Sequence, residues 1–205
     1  MATNINKSMK HENDELYTPK ILVDVIKPFL IEWHDNFVAL NNREPHIWCP
    51  FDRDESEFCF LLKELDYNFY NSHIDYGQDF FEKIKYYKPD LVLSNPPFSK
   101  KLEVFKALNE RNIPWALCMN LEALNYQIIG EYFADNPIGL IIPDKKISFN
   151  GKTSSFNTSY YCSESFHKGI TFIHCEHNNG GKYFVPSRMY NDNWCFLHFS
   201  MEWFR

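Results

Sequence analysis

The sequence predicts an α/β fold, a doubly wound, mostly parallel sheet with helices on both faces and a C-terminal antiparallel hairpin. Three observations carry that expectation. Short apolar runs alternate with amphipathic stretches as far as Pro137, the pattern of strand–helix–strand units with right-handed crossovers. Beyond Pro137 the character changes to strands, at residues 138–143, 160–162, 169–173 and 194–199. Finally, 205 residues with 44% hydrophobic and 18% aromatic content suffice for one proper core and are short for two. The expected organisation is a flexible N-terminus, 1–13, followed by a single domain, 14–205.

Taken in order, the first element is a helix over 20–30, with Thr18 as N-cap and Pro19 at its first position. Such a terminus offers free N–H groups to an anion. A strand over 46–51 leads to a helix over 52–65, whose Phe58, Leu61, Leu62 and Leu65 share one face. The next strand, 68–75, ends in Asp75. An acid at that strand end is what a nucleoside-binding sheet uses to receive a ribose hydroxyl, so Asp75 is the candidate for that role. A helix over 101–111, a buried strand over 113–119 and a helix over 122–134 complete the alternating part.

Between them lies Asp90-Leu91-Val92-Leu93-Ser94-Asn95-Pro96-Pro97-Phe98, an apolar strand stopped by two prolines. Its carboxyl end is where an open α/β sheet binds ligands. An amine on a flat ring is a poor nucleophile because its lone pair is delocalised. Two acceptors holding its hydrogens, the Asn95 side-chain oxygen and the Pro96 carbonyl, would localise that pair. Pro97 stiffens the turn, and Phe98 could stack on the ring, worth about 1–3 kcal/mol per base.

Composition sets further bounds. No apolar run reaches the roughly 18 residues of a membrane span, and the start lacks a signal peptide's apolar core, so a cytoplasmic protein is expected. Six cysteines stand singly without a Cys-x-x-Cys pair, which suits buried free thiols. The run His174-Cys175-Glu176-His177 holds metal-ligand types, but strand alternation sends them to opposite faces, and no metal is expected. The net charge of −6 argues against gripping long DNA by electrostatics alone. It is uneven: residues 140–205 hold seven Lys or Arg against five acids, leaving −8 on the first 139. Nucleic-acid contacts are therefore expected from the later part, Lys146 included, and from Lys100 and Lys101 beside the Pro-Pro turn.

Ser-Asn-Pro-Pro-Phe resembles the fourth motif, Asp/Asn/Ser-Pro-Pro-Tyr/Phe, of the amino-methyltransferases that use S-adenosylmethionine. With Tyr17-Thr18-Pro19, Pro50-Phe51 and Gly77-Gln78-Asp79-Phe80 in order before it, the chain resembles the phage-type, Dam-like adenine-specific DNA methyltransferases. The resemblance implies a class I, Rossmann-like fold, S-adenosylmethionine as cofactor, and methyl transfer to adenine N6 in flipped-out DNA. It implies that Tyr17, Thr18 and Pro19 hold the cofactor's carboxylate end, that Asp79 accepts from its adenine amine and that Phe80 flanks the ring. Asn95, Pro96, Pro97 and Phe98 would then form the catalytic turn. The polar, basic stretch 145–156 resembles the loop that helps hold the target base in that group, where Phe149 or Phe156 would supply a second wall opposite Phe98.

The chain departs from the family in its first motif. Asp-Pro-Phe-x-Gly-x-Gly is here Cys49-Pro50-Phe51-Asp52-Arg53-Asp54-Glu55, without the acid and without glycines. Either Asp52 replaces the lost acid as partner of the cofactor's ammonium, or the pocket is dead. The alternatives are a degenerate fold that binds nucleic acid or a partner protein, or an enzyme that methylates RNA bases or protein amides.

Overall fold

The structure, a computed structural model, describes residues 18–149, 155–177 and 184–191. Eight strands form one sheet: β1 (Ile47–Cys49), β2 (Phe69–Asn71), β3 (Leu91–Ser94), β4 (Trp115–Asn120), β5 (Ile138–Pro143), β8 (Thr158–Ser163), β9 (Ile170–His177) and β10 (Phe184–Asn191). Their spatial order is β2-β1-β3-β4-β8-β5-β9-β10. The short strands β6 (Ile147–Ser148) and β7 (Ser155–Phe156) pair separately. Strands β2, β1, β3 and β4 are parallel. Strand β8 runs against both β4 and β5, and β9 runs parallel to β5. Six of the eight strands thus point one way, and the sheet is mostly parallel as the alternation predicts. Its end is an antiparallel hairpin, as the fold class implies, but it is made by β9 with β10 and not with the strand expected at 194–199.

Along β1, β3 and β4 both faces of the sheet are buried, while on β9 Ile170 and Phe172 leave one face exposed. Along β1 and β3, Ile47, Cys49, Leu91 and Leu93 turn to one side and Trp48 and Val92 to the other. The first side packs against α1 (Lys20–Asn41) and α2 (Glu57–Glu64) through Leu22, Ile26, Leu30, Phe58 and Leu62. The second packs against α3 (Phe80–Lys83), α4 (Lys101–Glu110) and α5 (Gln127–Asp135) through Phe80, Val104, Phe105, Leu108 and Ile129. Helices on both faces of a mostly parallel sheet with an antiparallel strand, β8, inserted between β4 and β5 make the fold class I and Rossmann-like.

Several boundaries differ from expectation. Helix α1 runs eleven residues past Leu30 despite Pro28, because Trp33 and His34 continue its buried stripe; Asn42, in the left-handed region, ends it. Its N-cap position is Pro19 instead of Thr18, and the first bond runs from the Leu22 N–H to the Pro19 carbonyl at 3.0 Å. Helix α2 begins at Glu57 and not at Asp52, since Ser56 caps it by accepting from the Cys59 N–H at 3.2 Å. Strand β2 stops at Asn71, and Asp75 sits on a 3-10 turn, Ile74–Tyr76. The helix expected from residue 122 opens as a 3-10 turn, Leu121–Asn125. Strand β10 has no counterpart among the expected elements. The strand expected at 194–199 lies outside the described residues, as does Tyr17.

Candidate functional site

At the carboxyl ends of β1 and β3 the chain encloses a cleft of about 180 Å³. Thr18, Pro50, Phe51, Asp52, Asp79, Phe80, Asn95, Pro97 and Lys100 all line it. Residues scattered over more than eighty positions of sequence therefore converge on one volume. The remaining sequence candidates fall elsewhere. Pro19 opens α1, Pro96 is buried beneath the turn, and Phe98 is half-buried in a 3-10 turn, Phe98–Lys100. Lys146 is exposed between β5 and β6, and Phe149 packs against the core on the α1 face. The side chain of Phe156 lies outside the described residues.

The loop after β1 owes its shape to a buried polar network. Ser94, the last residue of β3, accepts from the Phe51 N–H at 3.2 Å and donates to the Asp52 carboxylate. The Asp52 N–H reaches the Ser72 carbonyl at 3.2 Å, and the Asn71 amide donates to the Asp52 carbonyl at 3.3 Å. Trp48 Nε1 closes the network on Ser72 Oγ at 3.0 Å. Burial pushes the Asp52 carboxyl up to about 6, against the opposing pull of the Ser94 and Ser56 hydroxyls. Near neutral pH it is therefore poised, with a cation in the cleft favouring its charged form.

Asp79 caps α3, its Oδ1 accepting from the Phe81 N–H at 2.7 Å and the Glu82 N–H at 3.1 Å. Neither bond uses Oδ2. Phe80 stacks on Trp48 with centroids 5.4 Å apart and lies 5.0 Å from both Phe51 and Phe81. These rings give the cleft one flat apolar flank. Asp75, expected to receive a ribose hydroxyl, is ion-paired with Arg53, and its N–H donates to His73 Nδ1 at 3.2 Å. Arg53 and His73 line the cleft themselves.

The Thr18 hydroxyl, which also lines the cleft, is buried and has no hydrogen-bond partner among the described residues, just before the first N–H groups of α1. A buried hydroxyl left unmade costs about 1–3 kcal/mol. An anionic group in the cleft would satisfy both it and the helix terminus. The donor set suits a nucleoside carrying an amino-acid end: flat apolar rings, a carboxylate with a free oxygen, a poised acid for an ammonium, and an orphaned hydroxyl at a helix terminus for a carboxylate.

Arg53, Ser56, His73, Ile74, Gln78, Phe81 and Ser99 also line the cleft without having been singled out by the sequence. Gln78 and Phe81 flank Asp79 and Phe80, so the motif itself is a pointer to them. Arg53 and His73 carry no local signal. Among the described residues no group of three or more His, Cys, Asp or Glu could hold a metal, and no helix is long and apolar enough to cross a membrane.

No family model matches the sequence, and a search of curated proteins finds no relative. Eleven chains of solved structures match it, among them these two. One is assigned as a modification subunit of a type I restriction enzyme from Vibrio vulnificus, with a TM-score of 0.48 and 12% identity over 89% of this chain and 54% of that one. The other is phosphoethanolamine N-methyltransferase 2 of Haemonchus contortus with phosphomonomethylethanolamine and S-adenosylhomocysteine, at TM-score 0.37 and 12% identity over 68% of this chain and 37% of that one. The chain thus spans about half of the first and little more than a third of the second. The fold class rests on the strand order above; these likenesses add nothing to the argument about activity.

Proposed function

We propose that the protein is an S-adenosylmethionine-dependent methyltransferase acting on the N6 amine of adenine in DNA. The observation that carries this reading is the convergence of Thr18, Asp52, Asp79 and the Phe51–Phe80 rings with Asn95 and Pro97 of the Asn-Pro-Pro turn on one cleft. When bound, S-adenosylmethionine supplies an electrophilic methyl group on a sulfonium. Thr18 and the α1 terminus would hold its carboxylate, Asp52 its ammonium, and Asp79 Oδ2 its adenine amine, with Phe80 and Phe51 against the ring.

The rest of the work belongs to the turn. Asn95 Oδ1 and the Pro96 carbonyl accept the hydrogens of the target amine, which localises its lone pair and fixes the direction of attack. Pro97 keeps the two acceptors in a constant relation. Flipping the base into the cleft costs a few kcal/mol, and positioning supplies most of the rate. The missing glycines do not argue against a pocket, because the 50–56 loop is held open by its own hydrogen bonds.

Calorimetric titration with S-adenosylmethionine and S-adenosylhomocysteine tests the cofactor, and labelled methyl transfer to DNA, RNA and protein tests the acceptor. Binding followed by label in N6-methyladenine of DNA is expected. A folded protein that takes up neither ligand overturns the reading, and label in RNA or protein replaces its acceptor.

A further inference from the structure

Beside the Asn-Pro-Pro turn, two lysines and two aromatic rings follow one another outward from the cleft. Lys100 Nζ lies 5.3 Å from the centre of the Phe81 ring, and both residues line the cleft. The next residue, Lys101, places Nζ 4.4 Å from the centre of the Tyr126 ring. Tyr126 is 56% exposed at the start of α5, within a run of exposed residues, Asn125 to Ile128. The fold gives no core reason for this tyrosine to stand there.

Neither ammonium is in an ion pair among the described residues. Glu103 is two positions along α4 from Lys101, on a different side of the helix, and although it is three positions from Lys100 no ion pair joins them among the described residues. Glu131 accepts from the Gln127 amide at 2.7 Å, and Glu122 from the Asn120 amide at 3.4 Å. A cation resting on a ring face keeps its remaining N–H groups for an anion, while the ring's other face stays open for stacking.

We propose that this ridge carries an unpaired stretch of the nucleic-acid strand next to the target base, with Tyr126 as the stacking platform and Lys100 and Lys101 on its phosphates. The inference rests on the nucleic-acid reading of the cleft and narrows its substrate to strand that is single or locally opened. An exposed ring can stack only on a base whose face is free, and in a duplex that face is covered by its neighbours. Alternating rings and cations are the means by which single strands are held. The net charge of −6 likewise suits contact with a few phosphates better than a clamp on duplex.

The test is fluorescence anisotropy of the whole protein with short labelled oligonucleotides: single-stranded DNA, RNA of the same sequence, and the duplex. Tyr126→Ala is expected to weaken single-strand binding about tenfold, as loss of one stacked base does, while Tyr126→Phe binds as the parent. Lys101→Ala should lower the dependence of log affinity on log salt by about 0.7. Duplex should bind more weakly and ignore Tyr126→Ala. Equal binding by Tyr126→Ala and parent, with circular dichroism showing both folded, overturns the proposal. So does duplex binding as tight as single strand and equally sensitive to Tyr126, or no binding of any oligonucleotide. That last result leaves the methyltransferase reading to cofactor calorimetry, and Tyr126-dependent binding without cofactor uptake would sink that reading while sparing this one.

Discussion

The two loops that follow β1 and β3 and line the cleft are held in opposite ways. The turn at 95–97 is stiff through covalent geometry, two consecutive prolines fixing φ at each position. The loop at 50–56 has one proline and no glycine, and its shape depends on Asp52, Ser56, Ser72 and Ser94. A proline turn survives the loss of any one hydrogen bond, whereas a buried polar loop depends on each. Ser94 belongs to both, ending β3 one residue before Asn95 while its hydroxyl binds Phe51 and Asp52. One loop is thus fixed by covalent geometry, and the other is open to tuning by charge.

The largest effect should come from the stiff side. Asn95→Ala removes an acceptor from a turn whose backbone stays in place, so methyl transfer should fall about 10²–10³-fold, the usual cost of one preorganised polar group. Cofactor affinity and thermal midpoint should stay at parent values. Unchanged turnover in the labelled assay would break the division between the two loops.

The tuned side should respond to pH. The Asp52 carboxyl titrates near 6 in the folded protein against an ordinary 3.8, so the folded state binds the proton more tightly. Stability therefore falls as pH rises from about 4 to about 6, by on the order of 3 kcal/mol. Asp52→Asn should flatten that slope in urea titrations run at several pH values. Cofactor affinity should rise across the same window in the parent and not in the variant, since pairing with an ammonium needs the charged form. A variant that keeps both slopes would move the titration to another group.

Ser94→Ala touches both loops and should cost about 1–3 kcal/mol, because the Phe51 N–H and the Asp52 carboxylate each lose a buried partner. It should also raise the Asp52 midpoint further, while Ser94→Thr keeps the parent's. A double-mutant cycle with Asp52→Asn should show coupling of about 0.5–3 kcal/mol. Additive effects would mean that the hydroxyl does not bridge the loops.

The difference between the loops also explains what can be read from the chain. Asn95-Pro96-Pro97 and Asp79-Phe80 are legible because their chemistry lies in contiguous residues whose backbone consequences are local. The contacts that hold the other side join residues far apart: Ser94 to Asp52 across forty-two positions, and Arg53 to Asp75 across twenty-two. No local pattern announces them. The sequence places the start of helix α2 too early because Asp52 and Ser56 are both good capping residues, and only the fold shows that the carboxylate of Asp52 is spent on β3. Strand β10 escapes the pattern because Val185-Pro186-Ser187-Arg188 has no alternation and a proline, which a sheet edge tolerates and an interior strand does not.

Thr18 gives the smallest effect. The sequence makes its hydroxyl a helix cap, but Pro19 takes the cap position and leaves it buried in the cleft lining without a partner among the described residues. Thr18→Val replaces the hydroxyl by a methyl of nearly the same shape, so folding should be unaffected or slightly improved, the penalty for an unmade hydrogen bond being removed. If the hydroxyl is kept for the cofactor's carboxylate, affinity should fall by about tenfold, the worth of a hydrogen bond to a charged group. Calorimetry separates the two, since stability and affinity are expected to move apart. A variant that loses stability without losing affinity would make Thr18 a structural residue and shift the anion to the helix terminus alone.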